Sequence, residues 1–407
     1  MTNDQLPMTL SLCIIVKNEA AALPQCLGSV QGVVEEMVVL DTGSSDRTVE
    51  VAKQFGAKIH HFAWCNDFSA ARNEALKYVT SNWVLVLDAD EVLVPEIVPD
   101  LQQAIQSDRL LVINLLRQEV GALQSPYSLV SRLFRRHPNL YFSRPYHAMV
   151  DDSVTEILRQ EPQWQIGSLP KVAILHYGYQ QRQIAEKDKF VQAEKTMTGF
   201  LASHPNDPYV CSKLGALYVQ TDKVELGIEL LERGLKSASD HGEILYELYY
   251  HLGIAYSRKQ QINRAIASYQ AAIQINIYPL LKLGSYNNLG NLWQSIGNLP
   301  HAKSAYQQVL KIAPDFAVGY YNLGIVLKAM GQYQAAIAAY NRAIQLNPDY
   351  AQAYQNLGVV LLKLGKMGEG LAAFQQAIAV YESSNPELAK QLRQGLQEMG
   401  FQRSKSD

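Results

Sequence analysis

Three acids, Asp88, Asp90 and Glu91, close an unbroken apolar run, Trp83-Val84-Leu85-Val86-Leu87. A short run rich in Val and Leu reads as a strand buried on both faces. Such a strand cannot take carboxylates into the core, because an unpaired buried charge is too costly. The acids therefore sit where the strand emerges, at its carboxyl end. In open α/β sheets that rim is where ligands bind. Asp88 and Asp90, with only Ala89 between them, can share one hard cation and the sugar phosphate it carries.

Other elements must bring partners to that rim. Leu10 to Val16 reads as a first strand and runs into Lys17-Asn18-Glu19. Met37-Val38-Val39-Leu40 reads as a second strand and ends at Asp41. Thr42-Gly43-Ser44-Ser45-Asp46 is turn chemistry, and Asp46 suits an N-cap. Helices are expected over 20–30, 47–55 and 68–80, with a third strand over 58–62. This alternation predicts parallel strands joined by crossover helices. Parallel strands put their carboxyl ends on one rim, so Asp41 and Asp88 face one crevice despite standing 47 positions apart. The set describes a pocket for a polar ligand near a metal. A Gly-x-x-x-x-Gly-Lys run is absent, and no Gly-x-Gly-x-x-Gly follows the first strand, which excludes a P-loop and a dinucleotide fingerprint.

Composition bounds the class. A chain of 407 residues accommodates two or three domains. Hydrophobic residues make up 48% and charged residues 18%, the signature of a globular protein. Lys plus Arg is 36 and Asp plus Glu is 38, which argues against nucleic acid as a partner. Cys13, Cys26, Cys65 and Cys211 form no Cys-x-x-Cys pair and read as buried thiols of a reducing compartment. No apolar stretch approaches the ~18 residues of a membrane span. Met8 to Val16 is followed by Lys17-Asn18-Glu19, where a signal peptide would carry small residues, so a cytoplasmic protein is expected.

Four segments then carry a resemblance. Ser11 to Glu19, Val39 to Thr48, Asp67-Phe68-Ser69-Ala70-Ala71-Arg72-Asn73 and Asp88-Ala89-Asp90-Glu91 stand in the order seen in family 2 glycosyltransferases. These are inverting, nucleotide-sugar-dependent enzymes of the GT-A fold. The resemblance covers roughly residues 9 to 180, and the chain is similar to the bacterial branch that appends tetratricopeptide repeats. It implies that Asn18 and Glu19 line the nucleotide base site and that Asp41 accepts hydrogen bonds from the base. Arg72 approaches the diphosphate or the base with its guanidinium fork. Asp88 contacts the ribose or the sugar. Asp90 binds Mg²⁺ or Mn²⁺, and His176, in Ile174-Leu175-His176-Tyr177-Gly178, completes the metal shell. The cation neutralises charge on the departing nucleoside diphosphate.

The acceptor side is expected in 127–154, which is dense in Arg, His and aromatic residues. Arg132 either clamps phosphate or is surface charge. Inverting transfer needs a carboxylate that takes the acceptor's proton. In many relatives a Glu directly follows the His of this segment, whereas here the dipeptide is His147-Ala148. Asp151, Asp152, Glu91 and His147 are the remaining candidates, and Asp151 and Asp152 are nearest in sequence.

The second half is periodic. Leu-Gly recurs at 214, 252, 289, 323 and 357, with offsets of 38, 37, 34 and 34. Thirteen residues after each Leu stands a small residue, Gly227, Ala265, Ala302, Ala336 or Gly370. Four further on comes Leu231, Tyr269, Tyr306, Tyr340 or Phe374. This is the helix-turn-helix of a tetratricopeptide repeat, and stacked repeats form a solenoid that binds peptides or proteins. Seventeen of the 23 Tyr lie here and read as packing. The expected plan is an α/β, GT-A-like domain with a mostly parallel sheet over 1–200. Behind it come an all-α repeat array over 205–383 and a capping helix over 385–400. The expected function is inverting transfer, probed against an alternative in which a non-catalytic nucleotide-sugar-binding domain serves an interaction scaffold. The acceptor is a glycan, lipid or protein, and the array binds acceptor or partner.

Overall fold

Leu10–Val16 forms β1, and its side chains alternate between two cores. Leu12, Ile14 and Val16 enter one hydrophobic cluster and Cys13 the other, as the two-residue period of a strand requires. The chain continues through α1 (Leu23–Val30), β2 (Glu36–Asp41), α2 (Thr48–Gln54), β3 (Lys58–His61), α3 (Phe68–Leu76) and β4 (Trp83–Val86). β1 pairs in parallel with β2 and β4, and β2 with β3. The polar ends of β1, β2 and β4 therefore share one rim, as expected. α3 stops at Leu76, short of Thr80, because the Thr80 amide and hydroxyl are drawn to the Glu36 carboxylate at 2.6 and 2.9 Å.

The rest of the domain adds β5 (Glu91–Leu93), α4 (Val98–Ala104), β6 (Leu110–Glu119), β7 (Tyr127–Arg135), α5 (Asp151–Gln160) and β8 (Gln165–His176). The sheet order is β3-β2-β1-β4-β7-β6-β8-β5. β7 runs antiparallel to both β4 and β6, and β5 antiparallel to β8, while β6 and β8 are parallel. The sheet is thus mostly parallel, as expected, with β7 and β5 as its two reversed strands. A connection as short as that between Glu119 and Tyr127 can join only antiparallel neighbours. α1 covers one core with Leu23, Cys26, Leu27 and Val30. α3 and α5 cover the other with Ala71, Ala75, Val154 and Ile157.

This computed structural model describes residues 8–122, 126–178, 186–238 and 242–401. They fall into two compact units divided after residue 239. The first unit continues with α6 (Glu186–Ser203), α7 (Pro208–Gln220) and α8 (Val224–Ser237). The second holds α9 (Gly242–Arg258), α10 (Ile262–Gln274), α11 (Leu283–Ser295), α12 (Leu299–Ile312), α13 (Ala317–Ala329) and α14 (Tyr333–Leu346). It ends with α15 (Ala351–Lys363), α16 (Met367–Ser384) and α17 (Pro386–Glu398). Each Leu-Gly of the sequence pattern places its Gly against the large residue of the paired helix. A Cβ on Gly253, Gly290 or Gly324 would stand 2.5 to 2.6 Å from the ring of Tyr269, Tyr306 or Tyr340. Asn385 caps α17, accepting from the Leu388 amide at 3.2 Å.

Cys13, Cys26 and Cys211 are buried free thiols, but Cys65 is exposed, contrary to expectation. Among the described residues no helix is long and apolar enough to cross a membrane.

Candidate functional site

Asp88 leaves the end of β4 between two arginines. Arg72 Nη2 donates to Asp88 Oδ1 at 2.7 Å, and Arg132 Nη2 to Oδ2 at 2.9 Å. Burial alone would raise the carboxyl, but Arg132 and then Arg72 hold it far below the usual carboxylate range. Arg72 stands on the first turns of α3, which Asp67 caps through the Ala70 amide at 3.0 Å. Its guanidinium lies over the Phe142 ring, 5.3 Å from the centroid. Arg72 Nε and Arg132 Nη1 are buried, and neither makes a hydrogen bond among the described residues, though Arg132 Nη1 faces Glu91 Oε2 at 3.5 Å. A buried donor left without a partner costs about 1–3 kcal/mol. Two such donors beside one carboxylate suit an anionic ligand with several acceptor oxygens.

Arg132 reaches Asp88 through a β-bulge. Ile113 pairs with Leu133 and Leu115 with Val130, so Ser131 and Arg132 together oppose Asn114. Val130 and Leu133 consequently both pack on the same core. A bulge of this kind re-aims side chains at a sheet rim. Arg132 turns to Asp88, and the Ser131 hydroxyl lies 3.0 Å from Asp151 Oδ1.

Asp90 pairs with a residue far along the chain. His176, at the end of β8, places Nε2 3.2 Å from Asp90 Oδ2. Its Nδ1 lies 2.5 Å from Glu119 Oε2. Burial works against an imidazolium here, but the hydrogen bonds to Asp90 and Glu119 push His176 up to about 9. Burial likewise opposes the Asp90 carboxylate, and the bond to His176 outweighs it and lowers that group. Gly178 closes on the pair. A Cβ there would stand 2.7 Å from His176 Nε2 and 2.8 Å from Asp90 Oδ2. Among the described residues no three His, Cys, Asp or Glu converge as a closed metal cage. Once Nε2 gives up its proton, Asp90 and His176 offer one oxygen and one nitrogen, which fits a Mg²⁺ or Mn²⁺ that displaces that proton and takes its other ligands from substrate phosphate and water.

Glu91 is placed elsewhere than its candidacy as a base suggests. It is fully buried. Its Oε1 accepts from Arg117 Nη1 at 2.8 Å and its Oε2 from the Asp88 amide at 2.8 Å. A carboxylate so enclosed shapes the Asp88 turn and does not meet an acceptor hydroxyl. Arg117, Glu119 and Ser131 were not singled out in the sequence. The partners of the first two lie on β5 and β8, 26 and 57 positions away.

The ends of β1 and β2 are laced together. Asn18, in the left-handed region at φ 56°, donates its amide to Ser44 Oγ at 2.9 Å. Its side-chain oxygen accepts from the Ser45 amide at 2.7 Å. The Glu19 amide donates to Thr48 Oγ1 at 2.7 Å. Asp41 is buried and accepts from the amides of Gly43 and Ser44 at 3.1 to 3.2 Å. His61 Nδ1 lies 3.4 Å from it. These residues share one rim, but much of their capacity already holds the loops in shape.

On the acceptor side, Asp151 opens α5. Burial raises its carboxyl, and the Ser131 hydroxyl only partly offsets this. Among the described residues it forms no ion pair. Asp152 is exposed and bound by Arg144 and Ser143 Oγ. The structure therefore separates the two neighbouring acids. His147 is exposed, with left-handed backbone at φ 52°, and its carbonyl accepts from Tyr209 at 3.3 Å.

Residues 11–167 match the Glycosyl transferase family 2 domain. Residues 246–276, 283–313, 305–338, 326–365 and 351–384 match tetratricopeptide repeat families. A TPR repeat-containing protein of Synechococcus elongatus is 43% identical over 305 residues, 75% of this chain and 76% of that protein. The SPbeta prophage-derived glycosyltransferase SunS of Bacillus subtilis is 28% identical over 241 residues, 56% of this chain and 54% of SunS. Among solved structures, the crystal structure of MamA aligns with 42% of this chain and 96% of its own, at 25% identity and a TM-score of 0.38.

Proposed function

The chain belongs to the family that joins a glycosyl transferase family 2 domain to tetratricopeptide repeats, and on that premise we propose how it transfers a sugar. The donor is a nucleoside diphosphate sugar, a uridine diphosphate sugar first, and the acceptor is a hydroxyl on a glycan, lipid or protein. The observation that carries this reading is the pairing of Asp90 with His176 beside a Cβ-free Gly178, next to Asp88 held between two arginines.

Asp88 orients the sugar or ribose hydroxyls, and its two guanidinium partners hold it ionised for that task. Arg72 Nε and Arg132 Nη1, which make no hydrogen bond among the described residues, bind donor oxygens. Asp90 and His176 hold Mg²⁺ or Mn²⁺, which when bound supplies Lewis-acid stabilisation of the departing diphosphate. Asp151 takes the proton of the acceptor hydroxyl as its oxygen bonds to the anomeric carbon and the bond to the diphosphate breaks. Its raised carboxyl suits a general base better than the ion-paired Asp152 or the buried Glu91. The repeat array recruits the acceptor or a partner protein.

The test is release of uridine diphosphate by the full chain from a panel of sugar donors with Mn²⁺ or Mg²⁺ and mixed acceptors. Turnover that needs the metal and disappears in Asp90→Ala supports the proposal. Ala148 in place of a Glu favours one second reading, a domain that binds donor without transferring it. Saturable donor binding with no turnover on any acceptor pool would establish that reading instead.

A further inference from the structure

Arg117 and Glu119 have no part in the transfer as described so far. They stand at i and i+2 on β6, so both side chains leave the same face of the strand. Arg117 Nη1 binds Glu91 Oε1 at 2.8 Å, and its Nη2 binds Glu119 Oε1 at 2.9 Å. Glu119 Oε2 then meets His176 Nδ1, and His176 Nε2 meets Asp90. In the other direction Glu91 Oε2 lies 3.5 Å from Arg132 Nη1, and Arg132 Nη2 binds Asp88 at 2.9 Å. A line of alternating charge thus leaves Asp88 and returns at Asp90, two residues on. Each cation along it, Arg132, Arg117 and His176, lies between two carboxylates.

We propose that Glu119 is a positioning residue for the divalent cation, and that Arg117 fixes Glu119 for this role. The inference rests on the reading of Asp90 and His176 as the metal pair. An imidazole that offers Nε2 to a cation must carry its proton on Nδ1, and an acceptor at Nδ1 selects that tautomer and sets the ring plane. Glu119 Oε2 is that acceptor. Its other oxygen is pinned by Arg117, so the carboxylate cannot rotate away. Arg117 is itself anchored, through Glu91 Oε1 and through Nε to Ser128 Oγ at 3.1 Å. The orientation of His176 is therefore inherited from buried groups on β5 and β6. Removing an outer-shell partner of this type costs about 10- to 100-fold in metal affinity.

The experiment is Mn²⁺ titration of the full chain with uridine diphosphate present, followed by calorimetry or electron paramagnetic resonance. Wild type is compared with Glu119→Gln, His176→Ala and the double variant. Nucleotide affinity in chelator and the thermal midpoint are read alongside. Glu119→Gln is expected to weaken Mn²⁺ about 10- to 100-fold, to leave nucleotide affinity in chelator unchanged, and to add nothing once His176 is Ala. If Glu119→Gln binds Mn²⁺ like wild type while His176→Ala does not, the positioning role is overturned and the metal pair stands. If wild type and His176→Ala bind Mn²⁺ alike, the metal pair itself fails and this inference fails with it. Arg117→Lys serves if Glu119→Gln does not fold. It keeps the charge, loses the two-pronged hold, and should weaken Mn²⁺ in the same direction.

Discussion

Gly178 lacks a side chain at the point where one would intrude most on the site. Its backbone is not left-handed, so Gly178→Ala tests space and not strain. Mn²⁺ affinity should fall roughly ten- to a hundredfold, the size of a disturbed ligand shell, with nucleotide affinity in chelator unchanged. Unaltered Mn²⁺ binding would show that the cation does not use the gap. Asp151 sets a second expectation, in pH. Burial raises its carboxyl, whereas Asp88 and Asp90 are lowered by their cationic partners against the same burial. A base works deprotonated, so kcat/KM should fall as pH drops through the raised Asp151 value, while Asp88 and Asp90 stay charged. The acid limb should lie above the ordinary Asp value of about 3.9. Asp151→Asn should abolish the limb and lower transfer by roughly 10²- to 10⁴-fold. A limb at the ordinary carboxylate value would place the base elsewhere. Asp88 and Asp90 were legible in the sequence because a buried strand must shed its charges where it ends. The burial of Glu91 was not, because its partner Arg117 lies 26 positions on and meets it only after β6 is in the sheet.

The strands and helices show the same division between local and long-range information. β1, β2 and β4 and the repeat helices follow from local periodicity and came out close to expectation. The positions of the two reversed strands, β7 and β5, were not legible, because β4 with β7 and β5 with β8 are long-range pairings set by register. The bulge at Ser131 and Arg132 is likewise invisible in composition, yet it brings Arg132 to Asp88 and Ser131 to Asp151. In the repeats the readable signal was Leu-Gly, and the structure supplies its cause. A Cβ on Gly290 would stand 2.6 Å from the ring of the fully buried Tyr306. Gly290→Ala gains about 0.5–1 kcal/mol of helix propensity but incurs overpacking of about 1–3 kcal/mol, so a net loss is expected. A lower urea midpoint, partly restored by Tyr306→Leu, is the measurement. Gly395, in α17 with nothing within 4 Å of its Cβ position, is the control and should stabilise on change to Ala.

The glycosyl transferase family 2 domain and helices α7 and α8 share one compact unit, and the loop over 143–149 links them. Arg144 and His147, at φ 68° and 52°, hold left-handed backbone without being glycine. Each such residue costs roughly 1–3 kcal/mol and persists only when its surroundings over-determine it. Much of that surrounding comes from the helices behind the domain. Arg144 Nη2 binds Asp207, the N-cap of α7, at 2.8 Å, while its Nη1 binds Asp152 on α5. Its guanidinium lies over the Tyr209 ring, 5.3 Å from the centroid. Tyr146 packs with the core of α6 and α7 and meets Phe68 of α3 edge to face. Arg144→Met keeps the aliphatic stem but removes both ion pairs. Asp207→Asn keeps a capping oxygen and removes only the charge. In the full chain both should raise amide hydrogen exchange across 143–149 while α7 stays protected. Mn²⁺ and nucleotide affinities should hold, and loss of transfer should appear in the acceptor KM, because the clamp holds α5, which carries Asp151, through Asp152 and touches neither Asp90 nor His176 in any hydrogen bond or ion pair described. If exchange in 143–149 does not change in either variant, the loop holds its own conformation and α7 is only a neighbour. If the donor KM rises instead, the clamp serves the nucleotide side, and the division of labour between the rim of β4 and the start of α5 must be redrawn.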